Sequence, residues 1–348
     1  MTAADAFRAA AAQRILVKDG AYGTLIQAER LEEADFGGEL ALNSDQRGNN
    51  DLLNLTRPDI IRAIARRFVV SGADILATNT FNANRISQAD YGAEALVAEI
   101  NLASARIIRQ VADEATAADG KQRWVAGALG PTNKTLSLSP DVNDPGYREV
   151  DFDTVKSVYR EQIDALVDGG VDFVLIETVF DTLNCKAAIM AALEAQKDLG
   201  RELPIMISMT LTDLSGRNLS GHTVEGFWAS VRHARPLTIG LNCSFGATQL
   251  RPHLAALARQ AETLIMAYPN AGLPNELGCY DEAAEETAAQ VRQWFDDRLV
   301  NVVGGCCGTT PGHIAAIAEA AKGREPRALP SAPTSTMLAG LEPMILAA

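Results

Sequence analysis

The sequence lacks the features that would assign it to several classes of protein. No apolar run reaches the roughly 18 residues that a membrane-spanning helix needs. Residues 1–13 predict a polar-faced helix rather than a secretory signal, because no cationic start leads into an apolar core. Lys and Arg total 31 against 44 Asp and Glu, so the formal net charge is −13. Nucleic acids and anionic membranes need clustered cations, and we expect neither as a partner.

Histidine and cysteine are also scarce. The 4 histidines show no pairing at metal-ligand spacing, and we expect all of them in solvent or on helix surfaces: His222, His233, His253 and His313. The 5 cysteines are odd in number, and Cys306 and Cys307 are adjacent, which is poor geometry for a disulfide between them. This usage predicts a reducing, cytoplasmic location with metal-binding or catalytic cysteines.

What the sequence does contain is an alternation of apolar runs and helical patterns, within a globular composition that is 47% hydrophobic. The predicted strands are 15–19, 73–78, 124–129, 172–177, 204–210, 237–242, 263–268 and 300–304. The predicted helices are 58–71, 93–116, 152–168, 181–199, 223–234, 247–261, 282–295 and 311–321. Near-continuous apolar strands are typical of parallel sheets covered on both faces. Eight such units favour an α/β protein with a (β/α)8 TIM barrel. An open doubly wound sheet is the alternative, but the Gly-rich phosphate loop expected of it is missing.

Two stretches fall outside the repeat. Residues 29–57 follow strand 1 and residues 133–150 follow strand 3, so both long loops should lie at the C-terminal face and carry function. We predict a single barrel domain over residues 1–323. Residues 324–348 are rich in Pro, Ser and Thr and predict a linker-like tail or docked extension.

Three cysteines follow predicted strands at the face where TIM barrels build their active sites. Cys243 follows strand 6, and Cys306 and Cys307 follow strand 8. Three thiolates converging there would suit Zn²⁺ with its fourth position open, for which Asn242, Asn270 or a water are candidates. Buried, small structural cysteines are the alternative, and this is the reading we assign to two others: Cys185, in a helix, and Cys279, in a loop.

A zinc ion held by three thiolates carries a net charge of −1, which makes it a weak generator of hydroxide. It is better suited to a thiol, whose ordinary pKa of about 8.5 falls on coordination, so that the thiolate persists at neutral pH. Through the metal, the three cysteines would then be catalytic.

Polar groups at two other strand ends indicate which chemical groups the rest of the substrate carries. Asp19 and Glu177 could bind an ammonium group, while the amides of Gly20 and Ala21 take a carboxylate. Together these groups would recognise an amino acid. The alternative is that the two carboxylates only cap loops or helices.

The sequence resembles the zinc-dependent homocysteine S-methyltransferases. The motifs that carry the resemblance are Asp19-Gly20-Ala21-Tyr22-Gly23-Thr24, Asn242-Cys243-Ser244 and Gly304-Gly305-Cys306-Cys307-Gly308. A narrower resemblance, to the homocysteine-binding module of cobalamin-dependent methionine synthase, covers residues 10–345 and rests on 34–36, 48–53, 78–82 and 130–137. The tail at 338–343 resembles the junction to a folate barrel. Tyr22 departs from the Met common in the family.

The resemblance implies a TIM barrel with zinc on Cys243, Cys306 and Cys307. It implies homocysteine contacts at a further set of residues: Asp19, Gly20, Ala21 and Glu177. The methyl group would come from methylcobalamin on a separate corrinoid protein, and ultimately from 5-methyltetrahydrofolate, to form methionine. Folate, cobalamin and reactivation modules are absent from the sequence, so other chains would supply them, or the chain is a fragment.

Three alternatives remain. A sibling enzyme would use betaine or S-methylmethionine as donor, and a non-catalytic subunit would only bind homocysteine or zinc. The third is a barrel lyase or aldolase. An aldolase would need a lysine at a strand end, and none is identified in the sequence.

Overall fold

The structure, a computed structural model of the 348-residue chain, describes residues 2–331 and 336–346. Eight parallel strands form one sheet in the order β1-β8-β7-β6-β5-β4-β3-β2. Their bounds are β1 (Leu16–Val17), β2 (Ile75–Ala77), β3 (Trp124–Leu129), β4 (Phe173–Val179), β5 (Ile205–Met209), β6 (Thr238–Asn242), β7 (Leu264–Tyr268) and β8 (Val302–Val303). A parallel bridge between Lys18 and Ile75 joins β1 to β2. The sheet therefore closes, and the (β/α)8 prediction is confirmed.

Helices alternate with the strands. Those of the described residues are α1 (Ala3–Gln13), α2 (Tyr22–Ala28), α3 (Glu33–Gly37), α4 (Leu53–Thr56), α5 (Pro58–Val70), α6 (Arg85–Gln88), α7 (Val97–Asp119), α8 (Phe152–Asp168), α9 (Thr182–Leu199), α10 (Val224–Val231), α11 (Ala247–Gln260), α12 (Ala284–Asp296) and α13 (Pro311–Ala321). Helices α5 and α7 to α13 are the eight predicted ones. The short helices α2, α3, α4 and α6 lie in loops and were not predicted.

Local chemistry sets the ends of these helices. Helix α8 begins after Asp151, whose carboxylate accepts a hydrogen bond from the Thr154 N–H at 2.7 Å. It ends before Gly170, whose φ of +93° is a conformation that glycine adopts at little cost. Helix α13 starts at Pro311, where the sequence predicts it, and Thr310 is its N-cap.

The apolar residues form two layers because strand side chains alternate. Leu16 and Leu175 point into the barrel, whereas their neighbours Val17 and Ile176 pack against the surrounding helices. Helix α1 closes the N-terminal end, where the Phe7 ring packs edge-on against Trp124 and Phe173, with ring centroids 5.2 and 5.1 Å away. Fully burying such a side chain contributes about 2–3 kcal/mol.

The long loops and the tail lie outside the repeat. Helices α3 and α4 are part of residues 29–57, whereas residues 133–150 contain no helix or strand. In the tail, β9 (Thr336–Leu338) and β10 (Met344–Leu346) pair antiparallel, and the Thr223 N–H donates to the Leu341 carbonyl at 2.9 Å. The domain division at residue 323 stays a prediction. Among residues 2–331 and 336–346, no helix combines the length and apolar character needed to cross a bilayer.

Candidate metal and thiol-binding site

The structure brings the three predicted cysteines together. Cys243 directly follows β6, and Cys306 and Cys307 lie in the loop after β8. Their sulfur atoms all lie within 4.8 Å of one another, and the Sγ atoms of Cys243 and Cys307 are 3.7 Å apart. All three residues are half-buried, so the cluster is open towards the mouth of the barrel.

This geometry fits a tetrahedral metal ion. Sulfur atoms about 2.3 Å from a tetrahedral zinc lie about 3.8 Å from each other, close to the 3.7 Å between Cys243 and Cys307. A disulfide would need about 2.05 Å. Hydrogen bonding with the thiols of Cys243 and Cys306 lowers the pKa of Cys307 to about 3. Hydrogen bonding with the other two cysteines, together with burial, raises the pKa of Cys306. The cluster therefore already stabilises a thiolate.

Unusual backbone conformations aim the sulfur atoms. Cys243 and Ser244 have φ of +62° and +61°, and Thr178 has φ of +58°. Such conformations cost roughly 1–3 kcal/mol each for residues other than glycine and tend to occur at functional sites. The register between β4 and β5 also shifts between Ile176 and Val179, next to Thr178.

Glycines give the loop after β8 the room it needs. A Cβ on Gly305 would lie 2.4 Å from the Thr309 hydroxyl oxygen, and one on Gly308 would lie 2.3 Å from the Cβ of Tyr280. Gly308 also has φ of +78°. Because a side chain at either position would clash, the two glycines let the loop that carries the adjacent cysteines adopt this path.

Asn242 links the strand ends by side-chain hydrogen bonds beneath the sulfur atoms. Its Oδ1 accepts from the Ser208 hydroxyl at 2.6 Å and from the Thr178 N–H at 3.1 Å. Its Nδ2 donates to the Thr178 hydroxyl at 2.8 Å and lies 3.9 Å from the Cys306 Sγ. Asn242 is thus engaged as a donor towards the cluster. The buried Asn270 Oδ1 has no hydrogen-bond partner in the described part of the chain. The fourth ligand stays a prediction.

The two predicted carboxylates lie in a buried polar layer under the cluster. Glu177 Oε2 accepts from the Tyr268 hydroxyl at 2.8 Å, and Asp19 Oδ2 accepts from the Ala77 N–H at 2.8 Å. Burial raises the pKa of both carboxyls, although the Lys18 ammonium opposes the shift. Their role in binding substrate stays a prediction.

A lysine occupies this layer. The prediction that no strand end carries a lysine was therefore wrong. Lys18 follows β1 directly, is 4% exposed, and donates to Asp19 Oδ1 at 2.9 Å. Burial disfavours its charge, but the carboxylates of Asp19 and Glu177 outweigh burial and raise the Lys18 pKa. A lysine held as an ammonium is a poor nucleophile for Schiff-base chemistry, so aldolase chemistry gains no support.

The amides predicted to bind a carboxylate have no acceptor within the described residues. Within residues 2–331 and 336–346, neither the Gly20 N–H nor the Ala21 N–H donates a hydrogen bond. Gly20 leaves no room for a side chain, since a Cβ there would lie 2.9 Å from both the Phe68 ring and the Thr309 hydroxyl. Both N–H groups are therefore unpaired within the described residues, although Gly20 is buried.

Sequence reasoning missed Lys18, Tyr268 and Tyr280. The first two could have been found from strand alternation, since Lys18 comes two residues after the inward Leu16 and Tyr268 two after the inward Met266. No sequence pattern indicates that Tyr280 packs against the loop that carries Cys307.

The remaining cysteines lie outside the cluster: Cys185 is buried, as predicted, whereas Cys279 is exposed, so the prediction of a buried residue there was wrong. His313 is buried, contrary to the surface prediction. Its ring accepts from the Thr310 hydroxyl and reaches the Glu282 carbonyl, both at 2.9 Å, because the loop before α12 covers it.

Solved structures of known proteins share the barrel fold of this chain. The homocysteine methyltransferase MmuM from Escherichia coli, in its metallated form, matches with a TM-score of 0.68 at 22% identity, over 88% of this chain and 96% of that one. A B12-independent methionine synthase from Shewanella sp. W3-18-1 matches with a TM-score of 0.50 at 13% identity, over 89% of this chain and 97% of that one. At these identities the likeness shows the barrel fold alone.

The family assignment rests on a separate finding. A family model described as homocysteine S-methyltransferase matches residues 16–321, which is most of the chain. The protein is therefore a methyltransferase that belongs to the homocysteine S-methyltransferase family.

Proposed function

We propose that this protein is a zinc-dependent enzyme that methylates the sulfur of homocysteine to give methionine. The observation that carries the proposal is the sulfur cluster of Cys243, Cys306 and Cys307, with its 3.7 Å separation between Cys243 and Cys307. When bound there, zinc would supply a Lewis acid that keeps the acceptor thiol deprotonated at neutral pH. No protein general base is then required.

The chain's own residues would position the acceptor. The free amides of Gly20 and Ala21 would hold the carboxylate of homocysteine, and Asp19 and Glu177 would line the position of its amino group. Held in this way, the acceptor sulfur would lie in the half-buried mouth with its reaction path fixed, which removes much of the entropic cost of a bimolecular step.

The methyl donor would be methylcobalamin on a separate corrinoid protein, remethylated from 5-methyltetrahydrofolate by another protein or module. In the transfer, the bond from sulfur to the methyl carbon would form as the bond from carbon to cobalt breaks, leaving its electron pair on cobalt. The support for this donor is the resemblance of residues 34–36, 48–53, 78–82 and 130–137 to the homocysteine-binding module of cobalamin-dependent methionine synthase. A betaine or S-methylmethionine donor is the second candidate. The barrel fold shared with MmuM does not distinguish that candidate from methylcobalamin.

We also propose that the corrinoid protein docks over the barrel mouth between residues 29–57 and 133–150. The second loop has a strongly exposed tip, with Val142 96% and Tyr147 48% exposed. Its base is anchored, since the Ser137 hydroxyl donates to Asp181 at 2.7 Å. Undiminished turnover with a corrinoid protein after deletion of both loop tips would contradict this arrangement.

Metal content tests the proposal directly. The protein should bind one zinc per chain, and Cys243→Ala, Cys306→Ala and Cys307→Ala should each lose it. Cys185→Ala provides a matched control outside the cluster. X-ray absorption should show three sulfur neighbours at about 2.3 Å and a fourth after homocysteine is added. Full activity with the metal chelated would overturn the proposal.

The donor is tested by assaying homocysteine with each methyl source in turn. Turnover with methylcobalamin, and none with betaine or S-methylmethionine, is the expected result. Turnover with either of the latter in the absence of cobalamin would replace the donor but keep the acceptor. Binding of homocysteine without turnover from any donor would indicate a non-catalytic subunit.

A further inference from the structure

A cavity of about 740 Å³ lies at the end of the barrel opposite the cysteine cluster. Leu237 and Asn301, which line it, directly precede β6 and β8, and Leu264 begins β7. Cys243, in contrast, follows the C-terminal end of β6. Helix α1 and residues 325–329 of the tail complete the wall. The cavity is thus a second concave site, and its volume is within the roughly 300–1,000 Å³ of pockets that hold small organic ligands.

Arginine dominates the polar part of this lining. Five arginines and two glutamates line the cavity, which gives the lining a formal charge of +3 in a chain whose net charge is −13. Each glutamate forms an ion pair with one arginine, in the pairs Arg232–Glu262 and Arg298–Glu325. Three cations of the described lining have no carboxylate partner within it: Arg8, Arg235 and Arg327. Because a concave surface of one sign concentrates counter-ions, this end of the barrel attracts anions.

Arg327 is the buried member of this group. It is 5% exposed, and its guanidinium donates to backbone carbonyls, among them those of Thr263 at 2.9 Å and Ala258 at 2.7 Å. No carboxylate pairs with it in the described part of the chain, and burial lowers its pKa to about 10. The backbone that carries it is held, because the Asn301 Nδ2 donates to the Arg327 carbonyl at 2.7 Å. A buried cation without an opposite charge is costly, and a bound anion would reduce that cost.

The other two arginines are available to a ligand. Arg8 has only distant ion pairs, 3.8 Å from Asp5 and 3.7 Å from Glu202. Arg235 is exposed, and its side chain has no ion pair or hydrogen bond among residues 2–331 and 336–346. Neither guanidinium therefore has to give up a strong partner to contact a bound anion.

The rest of the lining favours a ligand with a carbon skeleton. Its large apolar side chains are Trp228, Pro236, Leu237, Leu264, Pro326 and Leu329. An inorganic phosphate ion would meet the arginines but would leave this apolar surface and most of the volume uncovered. An organic anion covers both and gains the free energy of burying apolar surface.

We propose that this cavity binds a small organic polyanion, a phosphate ester or a polycarboxylate, whose charged groups pair with Arg8, Arg235 and Arg327. Guanidinium groups match both phosphate and carboxylate, because their N–H donors form a planar fork. The three arginines belong to α1, the loop before β6 and the tail, so the ligand joins segments that are far apart in the chain. The site is independent of the acceptor site and of the function proposed for it.

The test compares four probes by titration calorimetry on the purified full chain, with metal removed because two of the probes chelate zinc. ADP represents the phosphate esters, citrate represents the polycarboxylates, adenosine is the uncharged control, and inorganic phosphate lacks a carbon skeleton. At least one of ADP and citrate should bind once per chain with a Kd below about 1 mM, and the one that binds identifies the anionic group. Weaker binding of both overturns the inference. Adenosine or inorganic phosphate binding as tightly as the better polyanion also overturns it.

Substitutions at the two exposed arginines provide the second arm. The double variant Arg8→Gln/Arg235→Gln removes two charges, so the Kd of the polyanion should rise at least about fivefold. Arg30→Gln is the matched control, because Arg30 is exposed, lies outside the lining and has φ of +51° against +47° at Arg235. A smaller rise in the double variant, or an equal rise in the control, overturns the inference. If the double variant does not fold, Arg235→Gln alone is judged by the same criterion.

A variant at the other end of the barrel locates the ligand. Cys243→Ala changes the sulfur cluster and none of the residues that line the cavity, so the Kd of the polyanion should equal that of wild type. Loss of binding in this variant would place the polyanion at the barrel mouth and overturn the inference.

Discussion

Replacing Asn242 with alanine should be among the most damaging single changes at the candidate site. The amide is fully buried and joins β4, β5 and the loop after β8. Alanine would leave the buried Ser208 hydroxyl and the N–H of the half-buried Thr178 without their partner. It would also release the left-handed backbone at Thr178, which has φ of +58°.

The size of the loss follows from those contacts. A buried polar group left without its partner costs about 1–3 kcal/mol, so two such groups predict a loss of about 2–6 kcal/mol in the free energy of unfolding. That is a large part of the 5–15 kcal/mol typical of a domain. Because the Asn242 Nδ2 also approaches the Cys306 Sγ, zinc affinity should fall about 10–100-fold, as for other residues that support metal ligands.

Urea unfolding followed by circular dichroism gives the stability change, and competition with a chromophoric chelator gives the zinc Kd. Asn143→Ala, at an exposed position in the loop after β3, is the control and should change stability by less than about 0.5 kcal/mol. A loss below 1 kcal/mol for Asn242→Ala would refute the reasoning, since the three elements would then hold their positions without the amide.

Three further changes test other parts of the fold. Burial raises the pKa of Asp51 from 3.8 to about 7, so the native state loses stability as pH rises from about 4 through 7. At pH 8.5, Asp51→Asn should therefore have a free energy of unfolding, measured with urea, up to about 4 kcal/mol higher than that of wild type. An equal gain at pH 4 would contradict this reasoning. Gly240→Ala places a Cβ 1.5 Å from the Met266 carbonyl oxygen and should cost at least about 3 kcal/mol in unfolding experiments, whereas Gly312→Ala should be nearly neutral. Cys279→Ala should keep full zinc stoichiometry, because Cys279 is exposed and outside the cluster; loss of the metal by elemental analysis would show that the cluster is assigned incorrectly.

Much of the fold could be predicted because its signals are local. Helices α8 and α13 and strand β3 have the predicted bounds, since apolar runs, N-caps and terminal glycines act within a few residues. Helix α2 was missed because it lies in a loop without an amphipathic repeat. The other strands are shorter or shifted by a few residues, because hydrogen bonds to neighbouring strands set where a ladder ends.

The sequence by itself determined the barrel and the location of Cys243, Cys306 and Cys307 at the ends of β6 and β8, on either side of β7, because parallel strands must present their C-terminal ends on one rim. Only the tertiary structure decided what surrounds those sulfur atoms. Asn242 lies 64 positions from both Thr178 and Cys306 in the chain, and Tyr268 lies 91 positions from Glu177. Such pairs depend on closure and stagger of all eight strands, which also turn Lys18 inward against the carboxylates. No local pattern encodes that long-range register.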